Sequence, residues 1–294
     1  MKLTKTITLI EEKMSINEYL KTKLHFSTRL LKKLIKTQNI LVNNKFQNTN
    51  TLLKNSDILT IDFSYFENNS HIPPYNVPIK ILYEDEFLLI VDKPPHIPVH
   101  QSSSCFNESL SNMVKAYFDS IHLKKLIRPV NRLDLNTSGI VIFAKCEYIQ
   151  ECLKNSILKK QYLCFCEGSF PEKSFTIDKP IARKDGSILE REIHIDGKTA
   201  ITDFTVINTF NANSSICYSL LKCSLHTGRT HQIRVHLNSI LHPILGDTLY
   251  GSTSNYIARQ ALHNYYTEFI HPITKEKIAI TSSLPEDMKK LQIL

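Results

Sequence analysis

The stretch RPVNRLDLNTSGIVIFAK, Arg128–Lys145, decides the reading of this chain. Ile140–Ala144 is an uninterrupted apolar run bounded by Gly139 and Lys145, the pattern of a buried strand. Ahead of it, Arg132, Asp134, Thr137 and Ser138 crowd into one loop. A carboxylate set between an arginine and two hydroxyls is held ionised by charge and hydrogen bonds. A surface loop with a salt bridge is the plainer reading of the same residues.

Two downstream segments extend the pattern. Ile149, Cys152, Leu153, Ser156 and Ile157 fall at helical spacing, and LKKQYLCFCEG, Leu158–Gly168, follows. Tyr162 opens a strand there, with Cys164 and Cys166 alternating along it; packing is the plainer role for this tyrosine. In LHTGRTHQIRVHLNSILHPILGDTLYG, Leu225–Gly251, His226-Thr227-Gly228 reads as a tight turn. Thr230 is placed to cap a helix of about ten residues that His242-Pro243 ends. Ile233, Leu237, Ile240 and Leu241 form its inner stripe, and Arg229 and Arg234 lie near an N-terminus whose N–H groups attract anions. His231 and His236 are five apart rather than the four that aligns two metal ligands on one helical face, so no metal is expected from them.

Upstream, the chain changes character. Its 294 residues carry 36 Lys+Arg against 28 Asp+Glu, a formal charge of +8. From Lys13 to Lys54 there are nine basic residues and one acid, Glu18, while the remaining 27 basic residues are balanced by 27 acidic ones. A basic module on a neutral body suits a phosphate backbone, although a basic stretch also serves solubility alone. Ser15–Leu24 reads as a short helix on a Ser cap. Ser27 and Thr28 open a second, Arg29 to about Thr37, with Leu30, Leu31, Leu34 and Ile35 on one side and Arg29, Lys32, Lys33 and Lys36 on the rest. Ile40–Val42 and Ile58–Ile61 look like strands around Asn43-Asn44. Residues 64–78, rich in Asn and Pro, have linker composition.

Composition sets the outer limits. An apolar fraction of 42% supports a core and excludes a largely disordered chain. The apolar runs fall far short of the roughly 20 residues of a membrane helix, and the first residues lack a secretory signal pattern. The seven cysteines include no Cys-x-x-Cys pair and are expected as free thiols in a reducing cytoplasm. All seven glycines lie after residue 138, which suggests positions where a side chain does not fit or φ is positive.

The basic segment FSTRLLKKLIKTQNILVNNKFQNTNTLLKNSDILTI resembles the small RNA-binding domain of the ribosomal-protein S-four type, with Asn where that family usually turns on Gly. RLDLNTSGIVIFAK, KKQY, TGRTHQIRVH, HPILGDTLYG and ALHNYYTEFIHPIT together resemble the RluA-like RNA pseudouridine synthases. Asn131 departs from the usual His there, and in DKPPHIPVHQS His96 and Gln101 depart from the usual Gly and Pro. The resemblance implies an α+β fold: a basic helix–strand RNA-binding domain (1–63), a linker (64–78) and a catalytic domain (79–294) whose mixed, mainly antiparallel sheet is flanked by helices. It implies an isomerase that detaches uracil from its ribose, rotates it and rejoins it through a ring carbon, with oxidation state unchanged and hence no redox cofactor. Asp134 is then the catalytic carboxylate, Arg234 its ion partner and Tyr162 a ring that stacks on the target base. Arg132 fills the stack left by a flipped nucleotide. Thr137, Arg229, Arg29, Lys32, Lys33 and Lys36 contact RNA. The implied partner is structured RNA, with large-subunit ribosomal RNA ahead of transfer RNA, acted on by a cytoplasmic monomer. The alternatives are a non-catalytic RNA-binding or ribosome-assembly protein and a hydrolytic nucleosidase. Removing residues 1–63 is expected to weaken RNA binding more than the chemistry.

Overall fold

The computed structural model describes residues 1–102, 105–154, 156–213 and 216–293. The N-terminal part is a four-stranded sheet in the order β1-β4-β2-β3, formed by β1 (Lys2–Thr6), β2 (Ile40–Val42), β3 (Lys45–Phe46) and β4 (Ile58–Asp62). Helices α1 (Ile16–Thr22) and α2 (Thr28–Lys36) pack on it. Ser15 and Ser27 cap them, each hydroxyl accepting an N–H three residues on, from Glu18 and Leu30, at 3.1 Å. Asn43 and Asn44 both take positive φ, 50° and 64°, as a two-residue hairpin turn requires and as asparagine tolerates. Helix α2 buries Leu30, Leu31 and Leu34, whereas Ile35, expected on the inner stripe, is 40% exposed. Strand β1 was not expected.

The larger body is a sheet of nine strands among the described residues, in the order β5-β6-β7-β14-β8-β13-β12-β9 with β15 paired to β14. Its first strands are β5 (Lys80–Glu84), β6 (Leu88–Lys93) and β7 (Ser138–Ala144), with α3 (Leu110–Ser120) between the last two. Helix α4 (Glu147–Lys154) leads to β8 (Ile157–Glu167) and β9 (Ser174–Asp178). A separate hairpin of β10 (Ile181–Arg183) and β11 (Arg191–Ile193) precedes β12 (Ile201–Asn213) and β13 (Ile216–Leu225). Helix α5 (Gln232–Asn238), β14 (Leu262–Ile270), β15 (Lys277–Thr281) and α6 (Glu286–Lys289) complete the chain. Every pairing in the large sheet is antiparallel except β7 with β14. That parallel join is two residues long, Ser138 and Gly139 facing His263 and Asn264. A Cβ on Gly139, at φ +115°, would lie 2.2 Å from the Asn264 carbonyl oxygen, so the two strands meet only because residue 139 has no side chain. Gly228 lies in open space with no positive φ, an exception to the glycine reading.

Strand alternation divides the core. Leu89, Val91, Val141 and Phe143 face α3 and the main core, while Leu88, Ile90, Ile140, Ile142 and Ala144 face the other way. That second face is covered by the N-terminal part, whose Leu20, Phe26, Leu34 and Phe63 belong to the same apolar cluster. Phe63 stacks on Tyr148 of α4 with ring centroids 5.7 Å apart, and Phe26 lies 4.6 Å from the same ring. Residues 64–78 contain no helix or strand but are not a free linker: Tyr65, Glu67, Asn69 and Ile72 are buried. All seven cysteines are free, four of them buried and three partly buried.

Candidate active site

Residues 128–130 run beside β7, with the Val130 and Ala144 N–H groups donating to the Ile142 and Arg128 carbonyls at 2.8 and 2.9 Å. Asn131 then turns the chain. Its side chain donates to the Ile140 carbonyl (3.0 Å) and accepts from the Ile142 N–H (2.8 Å), so this departure from the family pattern serves the backbone. The next residues are held from below by two buried basic side chains. Lys93, without solvent exposure, donates to the carbonyls of Leu135 (3.0 Å), Ile97 (2.7 Å) and Pro94 (2.9 Å). Arg259 donates to the Asn136 carbonyl at 3.0 Å and grips Asp287 with Nε and Nη2 at 2.6 and 2.9 Å. His96, with φ 63° where the family has glycine, donates from Nδ1 to Asn136 Oδ1 at 2.9 Å. A loop this tied is a rigid support for Asp134.

Asp134 lines a cleft of about 480 Å³ together with Arg132, Thr137, Tyr162, Arg229 and Arg234. The carboxylate does not pair with its neighbours in sequence. Thr137 Oγ1 accepts from Gln260 (3.3 Å), Ser138 bonds His263 (3.0 Å), and Arg132 is exposed at the cleft wall. The partner of Asp134 is Arg234, whose Nη1 donates to Oδ2 at 3.2 Å. Arg234 is itself fixed by a two-point bond to the buried Asp247, 2.7 Å from Nε and 2.8 Å from Nη2, and lies 4.9 Å over the Tyr250 ring. Burial works against the guanidinium's charge, but Asp247 and Asp134 outweigh it and raise its pKa above the ordinary value. The cleft therefore contains a permanent cation aimed at one carboxylate oxygen.

Tyr162 sits on β8 between Cys223 of β13 and Asn264 of β14. Strand β8 begins at Ile157, five residues before the expected start, so Tyr162 lies inside the strand rather than at its mouth. Burial, and then the charge of Asp134, push its phenol well above the ordinary tyrosine range, which leaves a neutral ring on the cleft floor.

Helix α5 is shorter than expected and Thr230 does not cap it. It starts after His231, at φ 57°, with no side-chain cap, and the Gln232 side chain instead ties down the preceding turn, its Oε1 accepting from the Arg229 N–H and the Thr227 hydroxyl at 2.9 Å. Ile233 and Leu237 are buried as expected, but Leu241 is 88% exposed. Arg229 is exposed at the rim with Nε donating to the Thr199 carbonyl at 2.9 Å. The three histidines go separate ways: His226 to Asp203, His236 to Thr202 and Lys179, and His231 to Tyr250. Among the described residues no cluster of His, Cys, Asp and Glu is arranged to hold a metal.

The basic residues of α2 do not line this cleft. Arg29, Lys32 and Lys36 are exposed on α2. Lys33 is not available with them, because its ammonium is paired with the buried Glu67. Sequence reasoning passed over Asp247, Tyr250, Lys93 and Arg259. Asp247 and Tyr250 lie within the quoted HPILGDTLYG, but nothing in their spacing shows that they turn toward Arg234.

Residues 87–239 match the family described as RNA pseudouridylate synthase. Among curated relatives, the uncharacterized RNA pseudouridine synthase YhcT of Bacillus subtilis is 37% identical over 96% of this chain and 95% of its own length. Ribosomal large subunit pseudouridine synthase D of Xanthomonas campestris is 30% identical over 90% of this chain and 84% of its own. Among solved structures, human RNA pseudouridylate synthase domain containing 1 superposes with a TM-score of 0.59 at 24% identity, over 72% of this chain and 85% of that one, a likeness of fold. The matched region holds Asp134, Tyr162 and Arg234 and excludes residues 1–63. On this evidence the chain belongs to the RNA pseudouridylate synthase family, isomerases that act on RNA.

Proposed function

We propose that the chain converts uridines of structured RNA, in large-subunit ribosomal RNA, to pseudouridine, with Asp134 as the catalytic carboxylate. The observation that carries this reading is the ion-pair chain Asp247–Arg234–Asp134 at the cleft, with Tyr162 beneath it. Arg234 pairs with Asp134 and orients it, as suits a carboxylate that stabilises or traps positive charge at a glycosidic carbon. The C–N bond breaks, the base turns, a C–C bond forms, and the proton lost from that ring carbon is matched by one taken up at the freed ring nitrogen. A neutral Tyr162 suits a stacking surface for the base better than a proton acceptor. A uridine inside folded RNA reaches Asp134 only by flipping out, at a cost of a few kcal/mol. Arg132 occupies the gap in this reading, which its exposure at the cleft and its planar guanidinium support.

Residues 1–63 act in this reading as an S-four-type RNA-binding domain, with Arg29, Lys32 and Lys36 on phosphates and Arg229 and Thr137 at the cleft. In this reading the chain acts as a cytoplasmic monomer. The ribosomal assignment is supported by relatives such as the ribosomal large subunit pseudouridine synthase D of Xanthomonas campestris. Asp134→Asn removes the charge with little change of shape. It should abolish pseudouridine formation while leaving RNA affinity in place, measured by pseudouridine mapping and filter binding. Full activity in that variant would sink the role given to Asp134. Mapped sites that vanish only from transfer RNA in a deletion strain would move the substrate there.

A further inference from the structure

Three groups that the reading above does not use meet behind Asp134. His231 precedes α5 at φ 57°, in the left-handed region that a β-carbon normally disfavours. Its Nδ1 lies 2.9 Å from the Tyr250 hydroxyl, and its Nε2 lies 3.7 Å from Asp134 Oδ2. The Tyr250 oxygen also receives the Arg191 N–H at 2.9 Å, donated from the start of β11. That bond occupies an acceptor position of the phenol oxygen and turns the hydroxyl proton away from Arg191. A backbone N–H can only donate, so the phenol oxygen accepts on that side. Among the described residues the acceptor within reach of the Tyr250 proton is then His231 Nδ1. An imidazole that accepts at Nδ1 and is neutral bears its proton on Nε2, the nitrogen that faces Asp134. Burial lowers the His231 pKa, which keeps the ring neutral. The charges around it are Asp134 and Asp247 on one side of the balance and Arg234 and Arg191 on the other.

We propose that His231 is a positioning residue for Asp134, locked by Tyr250 as the neutral Nε2–H tautomer, and that it shares Oδ2 with Arg234 so that Oδ1 is the reacting oxygen. Among the described residues Oδ1 makes no hydrogen bond, whereas both donors converge on Oδ2. At 3.7 Å the imidazole contact is longer than a hydrogen bond, and catalytic contacts of this kind tighten when substrate fills the site. A neutral donor orients the carboxylate without a second full positive charge beside it, which would weaken its attraction for a developing cation on the sugar. The strained backbone at residue 231 aims the ring, and the β10–β11 hairpin, through Arg191, fixes the proton that the ring carries.

The proposal rests on Asp134 being the catalytic carboxylate, and the test separates the two. Single-turnover pseudouridine formation is measured against pH on saturating RNA for His231→Gly, His231→Gln and Tyr250→Phe, beside Asp134→Asn. Glycine suits the positive φ, so the first variant removes the ring without backbone strain. It should lose at least tenfold in rate with RNA affinity within twofold of the parent. Glutamine, which restores an N–H donor, should recover part of that loss and show no acid limb from residue 231. Tyr250→Phe keeps the ring under Arg234 but frees Nδ1, so His231 protonates more readily and the acid limb of the rate should move to higher pH. A His231→Gly rate within tenfold of the parent, no recovery by glutamine, or an unmoved acid limb in Tyr250→Phe overturns the proposal. If Asp134→Asn remains active, the role of Asp134 fails instead.

Discussion

Glu67 keeps its charge where water hardly reaches it. Its side chain is 2% exposed, Arg128 grips it with two bonds of 2.5 and 2.8 Å, and Lys33 completes the set. Burial alone would raise its pKa; the two cations overcome this and hold it at about 2, against 4.5 for a free side chain. A lowered folded-state pKa stabilises the protein above the unfolded value and loses that contribution as pH falls through the folded one. Part of the stability should therefore vanish between about pH 4.5 and about pH 2. Glu67→Gln should lower stability at pH 7 by about 3–5 kcal/mol, because the buried Arg128, and with it the partly exposed Lys33, loses its counter-charge. The variant should also lose the parent's pH dependence in that window, read from denaturant midpoints at pH 7, 4 and 3; matching curves for the two proteins would refute it. This residue shows where sequence reading stops. Lys32, Lys33 and Lys36 look alike on a helical wheel, and what removes Lys33 from the exposed group is a carboxylate 34 positions away. Arg234 was readable from its motif, yet the second carboxylate that aims it, Asp247, was not.

Elements were read best where local chemistry decides them. Ser15 and Ser27 cap their helices as expected, and the run Ile140–Ala144 lies inside β7 because both faces of that strand are covered. Elements were misread where tertiary partners decide. The start of β8 carries Lys159, Lys160 and Gln161, polar residues that no apolar run would mark as strand, and it is β14 that pairs with them. Strand β1 buries Leu3 as its single apolar anchor and exists because β4 lies beside it. Helix α5 stops at Asn238 although Ile240 and Leu241 continue the apolar spacing, since Leu241 turns to positive φ and points into solvent. The stretch 64–78 has the composition of a linker and the burial of a strap, because Glu67 and Tyr65 find cations on both sides of it.

At the scale of the molecule, the basic module and the catalytic sheet share one apolar cluster. Deleting residues 1–63 would uncover Leu88 and Ile90 of β6 and Ile140 and Ile142 of β7, the strand that leads out of the Asp134 loop. Such a deletion cannot separate binding from chemistry, contrary to the simple division that the charge distribution suggests. Neutralising Arg29, Lys32 and Lys36 to Gln does separate them. The triple variant should bind RNA more weakly, with a salt dependence of affinity shallower by about two to three ions, at roughly 0.7–0.9 per phosphate contact. Its single-turnover rate on saturating RNA should match the parent; an unchanged salt slope would place the RNA on another face. The shared cluster also has a history within each round of synthesis. Phe63 leaves the ribosome about 85 residues before its stacking partner Tyr148, an interval of roughly 4–17 s at about 5–20 residues per second. Throughout that interval the inner faces of Phe26 and Phe63 are open to water and to whatever binds nascent apolar surface. Ribosome-bound chains halted before β7 should be cut by protease within residues 1–78, where the finished protein resists, and equal resistance in both would mean that the module closes without its partner. A contact that looks like static packing in the finished molecule is, for the growing chain, a deadline.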